Sequence, residues 1–233
     1  MCSLGNLLCI GISSIIFILL NYMIEQTDPE SKMHIFKKHQ AALVIVCLIL
    51  QSYIITERFD SLLDQIFFSI LASILLMHAH TDYHTKYVYR LFSYFIWIGG
   101  FIYSLIKVFL CKAISPDQML IFFGGTILFI LIMLIGSVFT GFIHGKGDGY
   151  ILVGCALFLQ FTTYSDWGVE PILWHYIFSI FFLVIFNIKN MSFKKGKFKK
   201  RVPFAPSIYV ATLLMIYLTG VTNLTDKLLG LSI

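Results

Sequence analysis

The sequence predicts an all-α fold, a polytopic membrane helical bundle of about eight transmembrane helices. Three observations predict it. Of 233 residues, 58% are hydrophobic and only 12% are charged, half the charge of an ordinary soluble domain, which is about 25%. The apolar residues arrive in long runs, and a hydrocarbon core about 30 Å thick needs roughly 20 of them per helical span. No proline stands mid-run. Pro116, Pro171 and Pro203 stand at run starts, where a first helical turn tolerates the missing N–H.

The runs follow one another at 4–24, 41–56, 61–79, 91–110, 118–143, 150–164, 171–188 and 204–222. The first has no Lys or Arg before Lys32. A secretory signal requires a basic n-region, so the run reads as a retained span. The runs at 41–56 and 150–164 are short and read as tilted or partly re-entrant spans. Helices and closed barrels alone can cross lipid, and none of these runs alternates as a barrel strand does. With eight spans the connections are short, so residues 1–233 form a single membrane domain with no sizeable soluble part. The five cysteines, Cys2, Cys9, Cys47, Cys111 and Cys155, contain no C-x-x-C pair. They give neither a disulfide framework nor a thiolate zinc site. No internal repeat is visible.

Charge fixes the orientation. If the connections alternate between two sides, one side collects Lys32, Lys37, Lys38, Lys86, Arg90, Lys146 and the cluster Lys189, Lys194, Lys195, Lys197, Lys199, Lys200 and Arg201. The other holds Arg58, Lys107, Lys112 and Lys227. Cytoplasmic loops carry the excess of Lys and Arg, so the first side is cytoplasmic and both termini lie outside. The Lys189–Arg201 run is read as a topology determinant. No soluble basic domain exists, so nucleic acid is not an expected partner; the lipid bilayer is.

This orientation puts Asp82 and Asp148 on the same cytoplasmic side, each pressed against an apolar run. Ionisable residues at such places are costly and are functional suspects. Two carboxylates close together share a proton and titrate as a pair. One then acts as base on a water and the other as acid, as in aspartic proteases. The chemistry needs no metal and no cofactor. Gly145 and Gly147, flanking Lys146, allow close approach of a substrate strand or a neighbouring helix. Taken singly, Asp148 also reads as a helix N-cap, and Asp82 as a loop carboxylate paired with Lys86.

The string Gly145-Lys146-Gly147-Asp148 matches the G-x-G-D motif of membrane aspartyl proteases. Asp82, in His80-Thr81-Asp82-Tyr83-His84, occupies the place of the first catalytic aspartate in the type IV prepilin peptidase and archaeal preflagellin peptidase family. Val202-Pro203-Phe204-Ala205-Pro206 resembles the Pro-Phe-Gly-Pro-like segment that opens that family's last span. Over roughly residues 60–220 the chain resembles this family. The resemblance implies an aspartic-type endopeptidase of the plasma (cell inner) membrane that removes the short basic leader of prepilin-like or preflagellin-like membrane proteins, with Asp82 and Asp148 catalytic. Tyr150 stands where the family often has Lys, and the proline that the family often has a few residues after its first aspartate has no counterpart just after Asp82. The connection at about 25–40 is short and has no cysteine, so the resemblance implies the peptidase without the cysteine-rich methyltransferase domain.

Two other readings stand beside it. His78, His80, His84 and His144 fall near the aspartates, and a metal-dependent hydrolase would use them. Their spacing along the sequence fits no standard metal motif, so no metal is expected. A small ion- or proton-coupled transporter would use boundary carboxylates to bind cations or relay protons. Transporter sites sit near the midplane, often between repeats, and neither feature is present in the sequence.

Overall fold

A computed structural model describes residues 4–27, 38–85, 88–111, 115, 119, 123–132, 146–162, 169–188, 191–192, 197–198 and 202–219. Its helices are α1 (Leu4–Thr27), α2 (Lys38–Arg58), α3 (Leu62–Thr85), α4 (Arg90–Leu105), α5 (Phe123–Ile132), α6 (Lys146–Leu159), α7 (Val169–Asn187) and α8 (Ala205–Tyr217). A π-turn, Ile106–Leu110, prolongs α4. A two-stranded ribbon pairs Met191 with Phe198 and Ser192 with Lys197, antiparallel, within the basic connection between α7 and α8. The protein is otherwise an all-α helical bundle, as its sequence predicts.

Five helical stretches are long and apolar enough to cross a membrane: Leu4–Thr27, Gln40–Arg58, Leu62–Thr85, Arg90–Leu110 and Glu170–Asn187. The stretch at Gln40–Arg58 is thus longer than its apolar run at 41–56 implied, and long enough to cross. Shorter apolar helices occupy Phe123–Ile132, Gly147–Leu159 and Ala205–Tyr217. The distribution of side chains suits a lipid environment. Ile15, Ile18, Leu43, Val46, Phe101 and Phe181 are exposed, while Ser13, Gln51, Ser73 and Thr212 are fully buried. A soluble bundle reverses this pattern, since contiguous exposed apolar area on that scale drives association in water.

Helix α3 is the core of the bundle. Phe68, Leu71, Ala72 and Met77 are fully inaccessible, and α1, α2, α4 and α8 pack around it. A buried polar hub ties four of these helices together. Gln51 Nε2 donates to Ser13 Oγ at 3.1 Å and to Ser73 Oγ at 3.2 Å, and Tyr209 Oη donates to Gln51 Oε1 at 2.9 Å. Inside a bilayer such groups have no water to fall back on, so satisfying them within the bundle fixes the register of the helices.

Contacts between helices also fix the directions in which most of them run. At one end, the Thr56 hydroxyl bonds Asn6, the Arg58 guanidinium lies 4.2 Å from the Tyr217 ring centre, and Lys107 pairs with Asp64 at 2.9 Å. Tyr103 Oη also donates to Asp64, at 2.8 Å. Thr126 and Ser104 both bond Gln160, at 3.0 Å each, joining α5, α4 and α6 near that same end. The C-terminus of α3 and the N-termini of α4, α6 and α8 therefore lie together at the opposite end.

Helices α4 and α6 run parallel and very close. A Cβ at Gly154 would meet Ile96 Cγ2 at 2.7 Å, and one at Gly100 would meet Leu157 Cβ at 2.7 Å. Small residues at these crossings let the backbones approach, the usual device for packing helices in membranes. The Gly154→Val variant is expected to lose about 1–3 kcal/mol through overpacking, read as a lower melting temperature of the protein in detergent. Val at the Gly11 position, where a Cβ meets nothing within 4 Å among the described residues, is the matched control.

Candidate active site

Asp82 and Asp148 are both helical, which differs from a position in the connections. Helix α3 continues six residues past the apolar run that ends at 79, because its last turns are buried against other helices. Thr81 Oγ1 donates to His78 O at 3.0 Å and Thr85 Oγ1 to Thr81 O at 2.7 Å, so these hydroxyls are satisfied within the helix. Asp82 is only 4% exposed. A solvated loop aspartate is thereby excluded.

What Asp82 meets is backbone. Its Oδ2 accepts from Phe204 N at 2.7 Å and from Ala205 N at 3.0 Å. Phe204 is the N-cap residue of α8 and has no side-chain cap of its own. The carboxylate of α3 performs that capping from across the bundle. The segment Pro203-Phe204-Ala205-Pro206 explains the geometry. Its two prolines have no N–H, so its only two donors are the two that Asp82 takes. A carboxylate at a helix N-terminus also meets the positive end of the helix dipole, and hydrogen bonds to an ionised acceptor are among the strong ones.

Asp148 lies in the first turn of α6 and is half-buried. Its own helix dipole favours it there. Gly147, just before it, packs on Val88 at the entry to α4, where a Cβ would come within 2.9 Å of Val88 Cβ. Gly147 therefore serves close approach to a neighbouring segment. Val88 is only three residues beyond the end of α3, so the start of α6 sits beside the turn that follows Asp82. Gly145 and His144 lie outside the described residues.

A second contact sets the level of Asp148. Thr212 Oγ1 approaches Cys155 Sγ at 4.0 Å, joining α8 to α6. Thr212 is seven residues beyond Ala205, and Cys155 is seven beyond Asp148. At about 1.5 Å per residue, the same rise separates each pair, so on two parallel helices Asp148 stands level with Ala205. Asp82 hydrogen-bonds that residue. The two aspartates thus occupy the same end of the bundle at a similar depth, on adjoining helices around the start of α8.

Tyr150 turns toward α4. Trp97 Nε1 donates to its carbonyl at 2.7 Å, and the two rings pack edge to face with centroids 5.8 Å apart. The position that often holds Lys in the resembled family is here spent on packing. The sequence did not reveal that His78 is fully buried, with Nε2 3.5 Å from Ser93 Oγ and with no partner for Nδ1 among the described residues. Its one sequence signal was its place four residues before Asp82, on the same helical face. Among the described residues, no three His, Cys, Asp or Glu side chains converge as a metal-binding group. Set against family models, curated proteins and solved structures, the chain matches none of them.

Proposed function

We propose that this protein is a membrane aspartyl endopeptidase that removes the short basic leader of prepilin-like or preflagellin-like proteins, with Asp82 and Asp148 as its catalytic pair. The observation that carries this reading is the junction of three helix ends. Asp82 is buried at the Pro-Phe-Ala-Pro start of α8, and the glycine-flanked start of α6 brings Asp148 to the same depth. In the reaction, one carboxylate takes a proton from water as its oxygen attacks the scissile carbonyl carbon. The other, protonated, hydrogen-bonds the carbonyl oxygen and then delivers its proton to the leaving amine as the C–N bond breaks. The apolar stem of the substrate lies along the spans, and the leader emerges at the cytoplasmic boundary, where water is available.

The same geometry bears on transport. Among the described residues, every carboxylate in a helix stands within the first or last turn: Glu25, Glu57, Asp64, Asp82, Asp148 and Glu170. Midplane carboxylates of the kind that bind coupling ions are missing from that set, which favours hydrolysis at a wet boundary.

The reading is tested with the full chain in bilayer nanodiscs and a synthetic peptide that joins a short Lys-rich leader to an apolar helix. Mass spectrometry is expected to find a single cut at the leader–stem junction, unchanged by a chelator. A peptide that stays intact, or one whose cleavage is abolished by the chelator, overturns it.

A further inference from the structure

We propose that His80 and His84 form a two-histidine site for a borderline divalent transition metal such as Zn²⁺, Ni²⁺ or Cu²⁺, on the outer face of the last turn of α3. Along the sequence the run His-x-His-x-Asp-x-His looks like one cluster. The helix divides it. Residues four apart share a face of a helix and residues two apart do not. His80 and His84 are therefore neighbours, whereas Asp82 between them points into the bundle, where its Oδ2 holds the α8 amides.

The spacing of the rings suits chelation. Two histidines at i and i+4 are the arrangement by which helical zinc motifs present their imidazoles. With metal–nitrogen bonds of about 2.0–2.1 Å, each ring centre lies about 3.2 Å from the metal, and two such centres lie about 4.5–5.3 Å apart at bond angles of about 90–110°. The His80 and His84 centroids are 4.7 Å apart. His80 is half-buried and His84 is exposed, so packing orients one ligand while the other meets the solution. Water completes the coordination shell. A donor set of imidazoles without a carboxylate selects Zn²⁺, Ni²⁺ or Cu²⁺ over Mg²⁺ or Ca²⁺.

The consequence is local. A metal that joins His80 to His84 clasps the turn of α3 that contains Asp82. This site does not depend on the proposed hydrolysis, and it is read by binding alone.

The test uses the metal-stripped full chain in nanodiscs, titrated with Ni²⁺ by calorimetry and melted with and without the metal. One equivalent of Ni²⁺ is expected to bind and to raise the melting temperature by a few degrees at a large excess over Kd. At least tenfold weaker binding and loss of the shift are expected in His84→Ala, a change at an exposed position that leaves the core untouched. His80→Asn, which keeps a polar group at the half-buried position, is expected to do the same. Affinity unchanged in His84→Ala, absence of binding by the unaltered protein, or an equal shift with Mg²⁺ overturns the proposal.

Discussion

Replacing Asp82 with alanine is expected to loosen the start of α8 and to stop leader removal together. The carboxylate caps two amides in a site that is 4% exposed. Removing it leaves both N–H groups buried, and each unsatisfied group costs about 1–3 kcal/mol. A loss of about 2–6 kcal/mol is therefore expected, read as a clear drop in melting temperature in detergent. Protease access to the α7–α8 connection should rise in parallel. Asp82→Asn separates structure from chemistry. Its carbonyl oxygen still accepts from Phe204 and Ala205, so most of the stability should return. It cannot exchange a proton with water, so cleavage should stay at background. A stable Asp82→Ala protein would show that the cap contributes little.

Asp148→Asn is expected to leave the fold intact and abolish hydrolysis. Asp148 is half-buried at a helix start, where Asn is also well tolerated. The structural effect should stay within about 1 kcal/mol. Loss of an essential acid or base costs far more in rate, about 10²–10⁴-fold for proton transfer alone. Because the two aspartates would act as one unit, the double variant Asp82→Asn/Asp148→Asn should be no slower than either single one. Additive losses would instead indicate two independent roles.

The all-α helical bundle was legible because runs of apolar residues and the positions of proline mark helices, five of which among the described residues are long and apolar enough to cross a membrane. The grouping of Asp82 with Asp148 was legible from charge sidedness, since one unrecognised span between them would have put them at opposite ends. Helix ends were less so. Helix α3 runs on to Thr85 and α6 begins at Lys146, because polar residues that face a neighbouring helix prolong a span beyond its apolar run. The partner of Asp82 was out of reach for a related reason. Backbone amides carry no residue type, and only the two prolines around Phe204 and Ala205 hinted at which amides were available. The role of Tyr150 depends on Trp97, fifty-three residues away, and local sequence holds no sign of it.

In the proposed reaction one aspartate at the end of α3 and one at the start of α6 together cleave a membrane-anchored leader. Its most direct test is to co-express the protein with a prepilin-like substrate and follow the substrate's size on a gel. The unaltered protein should convert it to the shorter, leaderless form, while Asp82→Asn and Asp148→Asn, present in membranes at equal amounts, should leave it full length. Leader removal that persists in either variant would rule out catalysis by this pair.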